Sequence, residues 1–165
     1  MRKRSFLTAG VLLQVFAAAF TGPVFSEMAQ KSQNGLFPDE ILSSDKLKQM
    51  IDHGEKFVLF DARDKRSYDG LHIRGAALPR TDEYYRQEEL FRTNTVPHPP
   101  DGDAALKAAM EKFTHDTPIV TYCNSNCHAS AALALHLKAL GFTNVRSMEE
   151  GVQAWEKKGY PVEKK

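Results

Sequence analysis

The stretch 118-PIVTYCNSNCHASAALALHLKALG-141 holds both cysteines of the chain, Cys123 and Cys127. An apolar, strand-like run over Ile119 to Tyr122 stops on Cys123 and passes through Asn124, Ser125 and Asn126. It then enters a segment whose Leu133, Leu137 and Leu140 recur at helical spacing and which closes at Gly141. A strand that runs through a small polar loop into a helix is one half of a βα unit. A cysteine at its turning point has four readings: a nucleophile held among backbone amides, a disulfide partner, a metal ligand, or a plain packing thiol.

The flanking sequence repeats the alternation. ILSSDKLKQMIDHG places Leu47, Met50 and Ile51 on one helical face, with Ser43, Ser44 or Asp45 as cap and Gly54 as stop. Phe57 to Phe60 is a run of four apolar residues, as in a strand buried on both faces, with Asp61 and Arg63 at its carboxyl end. A helical turn, a glycine break and a short strand over Ala76 to Leu78 follow. DEYYRQEELF reads as helix, and the proline-rich TNTVPHPPDG as a surface loop. Asp103 is the expected cap of the next helix, with Leu106, Met110 and Phe113 on one face. NVRSM then reads as a strand and EEGVQAWEKKG as a last helix, in which Trp155 stands one helical interval from Val152 and belongs to the core. Strands alternating with helices imply an α/β fold, a parallel sheet of about five strands with helices on both faces. Ligands of such sheets bind at the carboxyl ends of the strands, where Cys123 lies.

A chain of 165 residues, 42% hydrophobic and 26% charged, has material for one core. Its start differs in kind. MRKRSF is basic, the uncharged apolar run LTAGVLLQVFAAAF follows, and Val24 and Ser26 are small enough to precede a cleavage site. Residues 1–26 therefore read as a signal peptide cut after Ser26, 27–39 as a polar linker and 40–165 as the domain. An uncleaved anchor over Phe6 to Phe25 is the competing reading, weakened by Gln14, Gly22 and Pro23. Cleavage removes three basic residues and no acid, taking the formal charge from +1 to −2. A balance so near neutral gives no reason to expect nucleic acid, or a membrane surface after cleavage, as partner. The expected location is periplasmic or secreted. A bond between Cys123 and Cys127 would close almost no chain and would be chemical in purpose rather than structural.

FDARDKRSYDGLHIRGAALP, YCNSNCHAS and GFTNVRSMEEGVQAWEKKGYPV, in this order, resemble the single-domain rhodanese-like sulfurtransferases over roughly residues 40–162. The resemblance implies a rhodanese-like fold, with Cys123 as the persulfide-forming residue. It implies thiosulfate sulfurtransferase-like activity, with a small sulfur-containing anion as donor and a thiol, protein thiols included, or cyanide as acceptor, and with no cofactor. It also makes Asp61 and Arg63 a structural ion pair. Two departures stand out: His128 occupies the position five after Cys123, where the family often has arginine or a hydroxyl residue, and the Tyr84 to Asp101 segment is longer than usual. The longer segment leads to the expectation of an altered mouth to the site.

The strand-loop-helix setting predicts a Cys123 thiol lowered by loop amides and a helix N-terminus, with Asn124, Ser125 and Asn126 letting the backbone curl around the sulfur. His128 is either a group that orients an anion or a water-facing helix-start residue, and Cys127 either resolves a persulfide or fills a gap. Arg74 is a candidate for the positive charge that the loop lacks. His72 reads as a hydrogen-bonded scaffold residue. The alternative functions are a thiol/disulfide redox module or a soft-metal site built from Cys123, Cys127 and His128, and a non-enzymatic sulfur carrier. Phosphatase chemistry would need an arginine where Ala129 stands.

Overall fold

The structure, a computed structural model, describes residues 31–165. The segment read as a signal peptide, 1–26, lies outside the described residues. A short 3-10 turn, Pro38–Glu40, leads into β1 (Ile41–Leu42), α1 (Ser44–Asp52), β2 (Val58–Asp61) and α2 (Lys65–Gly70). There follow β3 (His72–Ile73), α3 (Asp82–Arg92), α4 (Gly102–Met110), β4 (Ile119–Tyr122), α5 (Ala129–Ala139), β5 (Val145–Met148), α6 (Gly151–Lys157) and β6 (Val162–Glu163). Four strands form a parallel sheet in the order β1-β5-β4-β2.

The expected strand over Ala76 to Leu78 contributes a single parallel bridge, Phe60 to Ala77, beside β2. Its two backbone hydrogen bonds, Asp61 N–H to Ala77 O and Ala77 N–H to Leu59 O, both at 2.9 Å, place it where a fifth strand would run. β3 and β6 pair antiparallel as a separate ribbon. Two residues a side carry too little pattern to be read from sequence.

Central strand β4 is buried at all four positions, and its side chains alternate between two cores. Val120 and Tyr122 join Leu47, Met50, Leu59, Met148, Val152 and Trp155 on the side of α1 and α6. Ile119 joins Phe60, Leu106, Met110, Ala134 and Leu137 on the side of α4 and α5. Thr121, on that same side, is made tolerable by donating its hydroxyl to Ser130 O at 2.8 Å. By this alternation Cys123, the next residue but one, faces α5.

Two local expectations change. The cap of α4 is Asp101, whose Oδ1 accepts from Asp103 N and Ala104 N at 3.0 Å each, rather than Asp103. Two acidic residues two apart offer the same side-chain oxygen, and the one outside the first turn has the geometry to use it. Leu36, within the segment read as linker, is fully buried in the α4/α5 core, a burial worth roughly 1.5–3 kcal/mol. The packed unit thus takes in residues ahead of 40. Among the described residues no helix is long and apolar enough to cross a membrane.

Candidate active site

Cys123 is fully buried where β4 ends, and the loop that follows wraps its sulfur. The thiol is within hydrogen-bonding reach of Cys127 O at 3.2 Å, and of Asn124 O and Ser130 Oγ at 3.4 Å each. Asn126 takes a left-handed backbone, φ 59°, which turns the chain back toward Cys123. The sequence reading placed this loop, while the net shift of its thiol runs opposite to the expected one. Burial pushes Cys123 up to about 11 and the neighbouring Cys127 side chain adds to it, while Ser130, through hydroxyl and backbone, pulls the other way. The sulfur faces two carbonyl oxygens, which favour the protonated thiol. One of the loop amides, that of Ser125, is taken by Gln153.

The loop is held from outside by α6. Gln153 Oε1 accepts from Ser125 N at 2.8 Å, and its Nε2 donates to Asn124 Oδ1 at 2.9 Å. Ser125 Oγ donates to Glu150 O at 2.6 Å, and Val152 N to Cys123 O at 2.8 Å. Such closeness needs a glycine between them. Gly151 has φ +79°, and a Cβ there would stand 2.1 Å from Ser125 N and 2.3 Å from Asn124 C. Glu150 is in turn fixed by the hydroxyl of Ser44 and by Lys158.

From the other side Arg63 Nη1 reaches Asn124 Oδ1 at 3.4 Å, while its Nη2 pairs with Asp61 at 2.6 Å and also donates to Leu71 O. Burial works against this guanidinium charge, and the Asp61 hydrogen bond and charge more than offset it, raising Arg63 above its ordinary value. Asp61 is fully buried and also accepts from Tyr122 Oη at 2.7 Å, which itself receives Ile73 N–H at 3.1 Å. The expected structural role of Asp61 and Arg63 is thereby met: they tie β2 to the loop. His72 meets its scaffold reading as well, stacked on Tyr68 with Nδ1 2.8 Å from Tyr68 O.

The remaining candidates separate. Asn124, Ser125, Asn126 and Cys127 form the loop itself. Cys127 is half-buried, and its sulfur accepts from Ala129 N at 3.4 Å. His128 is exposed, takes the N-cap position of α5 without a side-chain capping bond, and lines a hollow of about 410 Å³ with Gln33, Asn34 and Leu135. Arg74 is exposed too. Its Nε lies 3.2 Å from Glu163 Oε1, in β6, and its N–H donates to O of Pro161, the residue before that strand. The Tyr84 to Asp101 segment forms most of α3, which with α2 bounds a cavity of about 1160 Å³. Among the described residues no hydrogen bond joins that segment to the Cys123 loop, and no group of three metal-ligating side chains occurs. Sequence reading missed Ser130, Gly151 and Gln153. The only signal for them was a glycine opening the last helix.

Residues 43–158 match the family described as Rhodanese-like domain. The chain is 27% identical over 143 residues to a Mycobacterium tuberculosis protein named "Probable adenylyltransferase/sulfurtransferase MoeZ". That match takes in 86% of this chain and spans only 30% of the relative's length. The solution structure of the rhodanese-like domain of the Alr3790 protein from Anabaena superposes with a TM-score of 0.57 at 21% identity, covering 76% of this chain and 80% of that one. A thiosulfate sulfurtransferase from Pseudomonas aeruginosa shares the fold at a TM-score of 0.51 and 16% identity, over 75% of this chain and 20% of that one. With its four-stranded parallel sheet, and with a family match over most of its length, the chain belongs to the rhodanese-like domain family.

Proposed function

We propose that this protein is a sulfurtransferase that carries a sulfane sulfur on Cys123. The observation that carries this reading is the placement of Cys123: a buried thiol at the carboxyl end of the central strand, enclosed by a six-residue loop that α6 and Arg63 hold on both sides. The family's sulfur chemistry supports it. The Cys123 thiolate attacks the outer sulfur of a small anionic donor such as thiosulfate, sulfite departs with the bonding electrons, and Cys123 keeps the sulfur as a persulfide. A thiol, protein thiols included, or cyanide then attacks the outer sulfur and returns the thiolate. Ser130 is the group placed to stabilise that thiolate, because its hydroxyl can turn from accepting to donating. In the same reading residues 1–26 direct export, on the strength of their basic start and uncharged apolar run. N-terminal sequencing of protein from an exporting host tests cleavage after Ser26.

The test is intact-mass measurement of reduced protein after exposure to thiosulfate, to polysulfide, or to buffer alone. One added sulfur on Cys123, removable by cyanide, is the expected result. Sulfur on neither cysteine would overturn the reading.

The raised thiol gives this reaction a defined pH dependence. The reactive form is the deprotonated one, so below a value near 11 its fraction grows with pH. The second-order rate of Cys123 loading should therefore rise about tenfold per pH unit between about pH 7 and pH 10. Stopped reactions read by mass measure it. A plateau beginning below about pH 8 would mean that the thiolate is held by a rearranged loop instead.

A further inference from the structure

The transfer reading employs one of the chain's two cysteines and leaves Cys127 without a task, although the loop turns it back over the first. Asn126 reverses the backbone at φ 59°, and the Cys123 sulfur lies 3.2 Å from the Cys127 carbonyl oxygen. In a helical turn residues four apart have Cα atoms about 6 Å from each other, within the range over which a disulfide closes. The second thiol bears directly on the first, being the largest contributor after burial to the retention of its proton. Cys123 is buried whereas Cys127 is only half-buried, and the Ala129 N–H orients its sulfur. A packing thiol needs neither exposure nor nearness to a nucleophile.

We propose that Cys127 is a second nucleophile of this site, which attacks the inner sulfur of the Cys123 persulfide and discharges the carried sulfur as sulfide. The inference rests on the transfer reading. Cys127 gives up its proton and its sulfur bonds to Cys123 Sγ. The bond between Cys123 Sγ and the outer sulfur breaks, and the outer sulfur leaves with the electron pair and takes up the proton as HS⁻. The carried sulfur is reduced and Cys127 is oxidised, so no outside oxidant takes part. The site is left as a Cys123 to Cys127 disulfide, and a dithiol reductant returns both thiols. The protein then performs a reductive release of sulfide, in competition with transfer to an acceptor.

The test loads the full chain and its Cys127→Ser and Cys127→Ala variants with thiosulfate or with inorganic polysulfide, removes the donor, and follows each protein without reductant. Free sulfide and intact mass are read together, with circular dichroism as the check of fold. The unsubstituted protein should release one sulfide per chain and end two hydrogens lighter than its reduced form. Both variants should keep the added sulfur at least about tenfold longer, since an intramolecular attack has been removed. Equal persulfide lifetimes in all three proteins, or an unsubstituted protein that loses sulfur without gaining the disulfide, would overturn the inference and leave the transfer reading standing. No sulfur uptake by any of the three would overturn both.

Discussion

Cys123→Ser should reduce sulfur loading and sulfite release by at least about a thousandfold, because it removes the buried sulfur that the proposed reaction loads. The substitution should leave the fold in place. An Oγ at this position can use the same neighbours, Asn124 O, Cys127 O and Ser130 Oγ, and the site is already adapted to a protonated donor facing two carbonyls. An alcohol is a far poorer nucleophile than a thiolate at any pH the protein survives. Sulfite release with cyanide as acceptor, together with far-UV circular dichroism, measures the two halves of the expectation. A folded variant that retains transfer would mean that the chemistry runs elsewhere.

The second large effect belongs to a residue that touches no substrate. Gly151→Ala should lower transfer by about a hundredfold and cost about 2–4 kcal/mol of stability, since a Cβ within 2.1 Å of Ser125 N forces the loop off α6. The loss arises because the Gln153 bonds and the Ser125 to Glu150 bond exist only while the two backbones touch. Gly54→Ala is the matched control. Gly54 has a similar positive φ of 68°, but a Cβ there meets nothing within 4 Å, so its substitution carries the conformational cost of about 1 kcal/mol alone and should leave transfer unchanged. Denaturant midpoints and kcat/KM for the pair separate backbone strain from loop displacement. Equal behaviour of the two variants would show that contact with Gly151 does not shape the loop.

Much of the site was legible because strands and helices impose periods on the chain. The apolar run over Ile119 to Tyr122, the stripe of Leu133 and Leu137, and the small polar residues between them are a local code, which placed Cys123 at a strand end before any contact was known. The ion pair of Asp61 and Arg63 was foreseen through the family's motif. Where sequence reasoning failed, the determining partner was distant along the chain. The thiol was expected to be lowered by amides that stand beside it in sequence. One of those amides is taken by Gln153, 28 residues on, and carbonyls face the sulfur instead. Arg74, a candidate for positive charge at the mouth, pairs with Glu163 through a ribbon of two residues a side, too short to leave a pattern.

The longer Tyr84 to Asp101 segment shows the same division. Its composition announced a helix followed by a proline-rich loop, and both are there. Its position beside α2, with no hydrogen bond to the Cys123 loop among the described residues, follows from which faces were free to pack, and Tyr85 buries itself on that side. By itself, then, the sequence determined the parallel α/β order, the strand-loop-helix around Cys123 and the family, because each is written in near neighbours and in fixed spacing. Only the tertiary structure decided the burial of Cys123 and the upward push it gives the thiol, the grip of α6 on the loop and the surroundings of Arg74 and His128. Those depend on which groups from remote segments take the backbone donors and acceptors of a loop that, taken alone, has more than one way to satisfy them.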